Sequence, residues 1–432
     1  MTKELQDRCL ELIRKEVVPA TGCTEPVAVA LAAARASKQL SSEATVVDIY
    51  LSANMLKNAM GVGIPGTGMI GLPIAVALGL ILANPEKELS VLDTFTKEEL
   101  ARAKEIVDSK RIRIQHKLGN VDKLYIEVNL EDAVDNKVSV IIEGDHRNIC
   151  FVQHNDNIIV DNRKKTKRQE LSTSAEEDEL ALNFDLVYRF ATETPLERIE
   201  FITQAVELNR TIAEYSLNSS LGHEVGRVIK SEEGRRFMGD TVFTDMLIYT
   251  GAACDARMDG APLAVMSNSG SGNQGITATL PVWAFAHRED SSFEATVRAL
   301  TLSSLMVIYI KQKLGRLSAL CGCVVAATGS SCGITYLMGG TKLQITYAIK
   351  NMVGNITGML CDGAKPSCSM KVSSGVSSAM LSALLAMKNQ VVTAQEGIVD
   401  NDVDKTIDNL TAIGRESMNE TDKLVLEIMT TK

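Results

Sequence analysis

The sequence predicts an α+β protein: a large all-helical domain carrying a smaller α+β domain that contains an antiparallel meander. Three observations carry this. Between residues 111 and 161, short alternating runs of β-branched residues are separated by turn residues. Beyond residue 198 the apolar residues keep helical spacing, interrupted by Gly-, Ser- and Cys-rich loops. With 45% hydrophobic but only 4% aromatic residues, the cores must be filled by Ala, Val, Leu, Ile and Met.

The elements follow in order. Residues 2–17 set Leu5, Cys9, Leu10, Ile13 and Val17 on one helical face, with both charge signs elsewhere. That is an amphipathic helix, not the charged start and apolar block of a leader. A loop, PATGCTEP, precedes an Ala-rich helix over residues 27–37. Residues 45–51, TVVDIYL, alternate as a strand. The loop GVGIPGTG leads into GMIGLPIAVALGLILA, residues 68–83. This stretch is short for a membrane span and broken by Pro73, so a buried helix is expected. Thr96 and Glu99 form a capping-box signature for a helix over residues 97–108.

Runs at residues 111–116, 124–130, 138–143, 148–154 and 158–161 then read as the meander, joined to the strand at 45–51. Asp135-Asn136, Gly144-Asp145 and Asn155-Asp156-Asn157 supply turns. A basic run, RKKTKR at 163–168, is followed at once by acidic residues, which makes it a solvated linker rather than a nucleic-acid contact. Thr194, Pro195 and Glu197 mark the start of a long helix, and no strands are expected beyond it. Residues 1–43 are assigned to the helical domain, 44–198 to the α+β domain, and 199–432 to the rest of the helical domain.

The net charge of -9 argues against nonspecific attraction to nucleic acid or an anionic membrane. Nine cysteines without a leader point to metal or redox chemistry in a reducing compartment, so a cytoplasmic location is expected. Cys23, Cys321 and Cys361 sit beside glycines in loops flanking helices, where backbone can approach a metal cluster closely. Cys323, Cys332 and Cys368 are further candidate ligands. Cys9 and Cys150 read as small buried residues, and Cys254 leans the same way. Paired CxxC units for structural zinc are missing, and the histidines show no ligand spacing.

The loop SNSGSGNQG, residues 267–275, offers backbone N–H groups ahead of a helix, with Asn268, Ser269, Gly270 and Asn273 as candidates for holding a carboxylate. Lys57 and Asn58, just before GVGIPGTG, form a second candidate anion site that matches neither a P-loop nor a dinucleotide fingerprint. Lys371 is the first candidate for a proton-abstracting base, provided its pKa is lowered; Glu25 and His223 are weaker ones.

Together PATGCTEPVAVALAAA, KNAMGVGIPGTGMIGLP, SNSGSGNQGI, LCGCVVAATGSSCG and GNITGMLCDGAKPSCSMKVS resemble the L-cysteine desulfidase family and the related iron–sulfur L-serine dehydratase alpha subunits. The resemblance implies a [4Fe–4S] cluster held by Cys23, Cys321 and Cys361, with one iron left open. It makes the helical domain catalytic and implies α,β-elimination of L-cysteine to pyruvate, ammonia and sulfide. L-serine dehydration by the same chemistry and a non-catalytic amino-acid or metal sensor are the alternatives. A pyridoxal-phosphate lyase using Lys371 is disfavoured, because this half of the chain reads helical. A zinc protein is the remaining competitor. The expected partner is a small amino-acid substrate, with no nucleic acid or membrane and with self-association left open.

Overall fold

A computed structural model describes residues 1–119, 121–163, 180–315 and 318–431. Helix α1 (Lys3–Glu16) is capped by the Thr2 side chain and buries Cys9, Leu10, Leu12 and Ile13, the face expected from its periodicity. A short strand, β1 (Pro19–Thr21), leads to α2 (Thr24–Ser37), which starts three residues earlier than its alanine run suggests, with Cys23 at the N-cap. Strand β2 (Ala44–Leu51), helix α3 (Ala53–Ala59), the hairpin β3 (Gly63–Ile64) and β4 (Met69–Ile70), and α4 (Leu72–Leu82) follow. The glycine loop expected before α4 is therefore partly a hairpin. Helices α2 and α4 pack closely: a Cβ on Gly79 would lie 2.4 Å from the Ala30 carbonyl oxygen.

Helix α5 (Lys97–Asp108) has the bounds and the Thr96–Glu99 capping box that the sequence predicts. Strands β5 (Ile112–His116), β6 (Tyr125–Asp132), β7 (Lys137–Glu143), β8 (Ile149–His154) and β9 (Asn157–Asp161) complete a six-stranded sheet of order β5-β2-β6-β7-β8-β9. Strands β6 to β9 are the antiparallel meander. The first of the five runs is not part of it, because β5 pairs parallel with β2 at the sheet edge. The intervening helices supply the long crossover that parallel pairing needs. Val47, Ile49, Leu51, Ile126, Val128, Val140 and Ile142 close a core with the alanines of α2 and the apolar face of α4.

The remainder is helical: α6 (Phe184–Glu193), α7 (Thr203–Leu217), α8 (Val225–Lys230), α9 (Glu232–Met238) and α10 (Val242–Met258). Then come β10 (Ala264–Met266), α11 (Gly272–Arg288), α12 (Phe293–Leu314), α13 (Gly322–Leu337), α14 (Lys342–Ile356), α15 (Cys368–Met387), α16 (Val403–Ala412) and α17 (Asn419–Thr431). The fold is thus α+β with a large helical part. The cores follow packing rather than chain order: α1 and α6 join the helical core, while α2 and Leu426 of α17 join the sheet's core.

Two expectations fail locally. The long helix at Thr194 is instead one turn, Leu196–Ile199, then a 3-10 turn, Glu200–Ile202, before α7. Arg298 holds the carbonyls of Ala191 and Thr194, both at 3.0 Å, and the Thr194 hydroxyl caps nothing. A strand, β10, does occur beyond it, three residues long and paired with the equally short β1 far earlier in the chain. Helices α12 and α15 have the length and apolarity of membrane spans, and the most apolar window of α12 is 72% buried inside the protein. Lys164 to Arg168 of the basic run lie outside the described residues.

Candidate active site

The β1–β10 ladder pairs Pro19 with Met266 and Thr21 with Ala264, which sets PATGC beside SNSGSGNQG. The Ser267 amide donates to the Val18 carbonyl at 2.8 Å and the Ser269 amide to Glu16 at 3.0 Å. Ser269 (φ 48°) and Gly270 (φ 79°) turn the chain in the left-handed region, a conformation costly for Ser and natural for Gly. The Ser271 side chain then caps α11. Asn268 is buried and bonded within the protein: its Nδ2 donates to the Ser304 carbonyl at 3.0 Å and its Oδ1 accepts from Ser269. Asn273 is half-buried in the first turn of α11.

Cys23 is 7% exposed at the N-cap of α2. Its thiol donates to Glu25 Oε2 at 2.8 Å, and Asn58 Nδ2 donates to Glu25 Oε1 at 3.3 Å. Burial and then the Glu25 carboxylate push this thiol's pKa up, while the nearby Arg257 guanidinium opposes them. Arg257, from α10, is 5% exposed; Nη2 donates to the Gly22 carbonyl at 2.9 Å and Nη1 to Asn273 Oδ1 at 3.0 Å. It therefore ties the Cys23 turn to the first turn of α11.

Cys321 occupies the N-cap position of α13 without a side-chain capping bond, and Cys361 lies on the neighbouring loop. A bridge at Leu320 and Leu360 holds them together: the Cys321 amide donates to Met359 at 3.0 Å and the Cys361 amide to Ala319 at 2.7 Å. Burial and then the Cys361 sulfur push the Cys321 thiol up to about 12. Gln274, also in the first turn of α11, donates to the Asn268 carbonyl at 3.1 Å and packs on Gly322. So the 267–275 loop reaches the Cys23 turn through Asn273 and Arg257, and the Cys321 turn through Gln274.

Cys323 points elsewhere. Its thiol donates to the Lys371 carbonyl at 3.0 Å, and a Cβ on Gly375 would lie 2.4 Å from its sulfur, inside the α13–α15 interface. Cys332 is buried along α13 and donates to Thr328 at 3.2 Å. Cys368 opens α15, half-buried; burial raises its pKa, and Cys361 is close enough to raise it further. Cys9, Cys150 and Cys254 are fully buried, and all nine thiols are free. Among the described residues, no three His, Cys, Asp or Glu side chains close around a single-ion position.

The remaining sequence candidates are held by the protein. Lys57 is 1% exposed; its amine is ion-paired with Asp422 of α17 and donates to the Cys361 carbonyl at 3.2 Å. Lys371 is paired with Asp362 and donates to the Leu360 carbonyl at 2.9 Å. Burial alone would lower its pKa, but the Asp362 contact more than offsets that and holds it above its ordinary value. The lowered pKa that base chemistry asks of it is not present with that ion pair in place. His223 is exposed, its backbone amide donating to Asp255 Oδ1 at 3.3 Å. Arg257 and Gln274 are the residues that sequence reasoning passed over. The signal available was one arginine in the apolar run GAACDARM and one glutamine in a glycine loop.

A cavity of about 830 Å³ lies between α1 and the segment 197–207, lined by Glu11, Arg14, Glu200 and Phe201 among others, and contains none of these residues. The buried thiols themselves make a pH prediction for metal-free protein. Burial pushes Cys9 and Cys332 up to about 12. Unfolded thiols ionise near pH 8.5, so from there to about 12 the folded state binds more protons and stability falls as pH rises. Stability from urea unfolding at pH 9.5 and at pH 10.5 is expected to differ by about 1.3 kcal/mol per such thiol, and Cys332→Ala to flatten that slope by one thiol's share. An unfolding midpoint that does not move with pH contradicts this.

The comparisons with known proteins complete the picture. A family model described as serine dehydratase alpha chain matches residues 86–427. The chain is 64% identical to the UPF0597 protein of Porphyromonas gingivalis over 433 residues, covering 100% of both. It is 58% identical to the UPF0597 protein of Parabacteroides distasonis, over 99% of both chains. The UPF0597 protein of Oleidesulfovibrio alaskensis is 44% identical over 100% of both. The matched region covers most of the chain and includes Arg257, the 267–275 loop, Cys321 and Cys361, with Cys23 lying before it, and this chain belongs to the serine dehydratase alpha chain family.

Proposed function

We propose that this chain is a [4Fe–4S]-dependent lyase that eliminates the β-substituent of a small amino acid, with L-cysteine as substrate and pyruvate, ammonia and sulfide as products. The observation that carries the reading is that the Cys23 turn, through Arg257 and Asn273, and the Cys321 turn, through Gln274, both contact one Gly/Ser/Asn loop at a helix N-terminus, with the Cys361 loop bridged to Cys321. The donor set suits the group: free, soft thiols from three segments, each with a glycine within two residues. Cys23, Cys321 and Cys361 would hold the cluster. Bound there, it would supply a Lewis-acidic iron able to polarise the substrate's β-thiol or hydroxyl.

The chain's own residues do the rest. The first turn of α11 presents N–H groups and its positive dipole end to the α-carboxylate, with Ser269, Gly270 and Asn273 shaping the turn and Asn268 bracing it from below. This fixes the Cα–H bond in one direction. The α-proton passes to Lys371 once its amine has given up its own proton to solvent, or to Glu25, with His223 as the weaker candidate. The Cβ–S bond then breaks, and the aminoacrylate released hydrolyses to pyruvate and ammonia in water. Dehydration of L-serine is the second reading, favoured by the family match itself. Either enzyme is proposed to work in the cytoplasm.

Anaerobically reconstituted protein given L-cysteine or L-serine tests this directly. Equal amounts of pyruvate and sulfide from L-cysteine support the desulfidase. Pyruvate from L-serine alone transfers the reading to dehydration, and no product from either amino acid sinks the lyase.

A further inference from the structure

Arg257 is a buried cation that makes no ion pair among the described residues; Glu25, the carboxylate that shares its neighbourhood at Cys23, is bonded to the Cys23 thiol and to Asn58 instead. Its two hydrogen-bond partners, the Gly22 carbonyl and Asn273 Oδ1, are both neutral. Asp255, two residues earlier on α10, is occupied with the backbone amides of His223 and Gly226. Nε of Arg257 is buried and unpartnered. Burying a guanidinium without a counter-charge is expensive unless an anion arrives to meet it.

The position of that charge is specific. A Cβ on Gly272 would lie 2.2 Å from Arg257 Nε and 2.7 Å from Cζ, so the guanidinium is packed against the backbone of the first turn of α11. Only a glycine leaves room for it. That turn is itself the positive end of a 17-residue helix, and neither the Gly272 nor the Asn273 amide has a partner among the described residues. Two sources of positive potential, one side-chain and one backbone, are thus held together by Asn273, whose Oδ1 accepts from Arg257 Nη1 at 3.0 Å.

We propose that Arg257 is the charged half of a carboxylate seat whose other half is the N-terminal turn of α11, and that it sets the preference for substrates carrying an α-carboxylate. The identity of that carboxylate rests on the amino-acid lyase reading; the seat itself rests on the geometry. Arg257 serves a second purpose in the same position. By gripping the Gly22 carbonyl it fixes the Cys23 turn relative to the bound carboxylate, which orients a substrate between the two.

Two thiols that share most of their atoms with cysteine test the seat without requiring turnover. 3-Mercaptopropionate keeps the carboxylate and lacks the amine; cysteamine keeps the amine and lacks the carboxylate. Dissociation constants for both are measured by calorimetry on anaerobically reconstituted full-length protein, with iron per chain and the unfolding midpoint determined on each sample. In Arg257→Gln and in Gly272→Ala, which keeps the charge but displaces it, 3-mercaptopropionate is expected to weaken by roughly 10- to 100-fold. Cysteamine binding, referred to the iron-loaded fraction of each sample because Arg257 also holds the Cys23 turn, is expected to weaken much less than 3-mercaptopropionate binding, and Arg257→Lys to fall between.

Equal weakening of both thiols, or unchanged 3-mercaptopropionate binding in Arg257→Gln, overturns the seat. So does wild-type protein that binds cysteamine as tightly as 3-mercaptopropionate, or that binds neither. The lyase reading fails separately: wild-type protein that forms no product yet binds in this carboxylate-selective way loses the enzyme and keeps the seat.

Discussion

Cys361→Ala is expected to leave a folded protein that cannot keep iron and forms pyruvate from L-cysteine at least about 10³-fold more slowly than wild type. The side chain is half-buried, and its backbone, not its sulfur, makes the Cys361–Ala319 bond that organises the loop. Alanine retains that bond and the Leu320–Leu360 bridge. The loss should therefore appear in iron and turnover and hardly at all in the unfolding midpoint. Cys323→Ala makes the opposite contrast. Its sulfur is packed between α13 and α15 and bonded to the Lys371 carbonyl. Removing it is expected to cost stability, on the order of 1–3 kcal/mol, while iron binding survives. A result with the two variants exchanged would move the ligand to Cys323.

Lys57→Met should be the most damaging single change to stability, at about 3–5 kcal/mol. It strands Asp422, 6% exposed, with the Asn54 amide at 3.0 Å as its one remaining side-chain partner among the described residues. It also removes the ion pair between α3 and α17, leaving the Asn54 bond to hold them, and removes the donor to the Cys361 carbonyl. Replacing both partners, Lys57→Met with Asp422→Leu, should recover much of the loss, because an apolar pair of similar volume leaves no buried charge unmatched. Urea unfolding of the two single variants and the double variant measures the coupling. If Lys57 were instead a substrate-binding group, Lys57→Met would raise KM and leave the unfolding midpoint in place.

These contrasts also mark what the sequence could and could not reveal. Periodicity and caps are local signals, and they identified α1, the bounds of α5 and the β6–β9 meander. The fold class followed from them. Failures occurred where a distant partner decides the outcome. Strand β10 is three residues long and exists because β1 lies beside it. The parallel edge strand β5 looks like any other alternating run until its neighbour is known. The Thr194 start signal gives a single α-turn and a 3-10 turn before α7, and Arg298, about a hundred residues later, holds the Thr194 carbonyl at that start.

The site divides in the same way. Loops rich in Gly, Ser and Cys stood out in the sequence because they interrupt apolar helices, and the structure brings PATGC against SNSGSGNQG and LCGC against MLCDG. What spacing could not show was which side chains were already committed. Lys57 reads as a free cation beside a glycine loop, yet its counter-ion lies 365 positions away, in the last helix. Lys371 likewise finds Asp362 on the adjoining loop. Conversely, Arg257 drew no attention because a single arginine in an apolar helix carries no spacing signal. Its meaning comes from Gly22 and Gly272, which only the fold places around it.

The most direct test of the account is Mössbauer spectroscopy of ⁵⁷Fe-reconstituted, anaerobic protein before and after L-cysteine is added. The account predicts a cubane spectrum in which a single iron site changes its parameters on adding the amino acid, and in which Cys361→Ala removes the signal. A protein that binds no iron under these conditions, or a cluster whose sites all ignore L-cysteine, would contradict it.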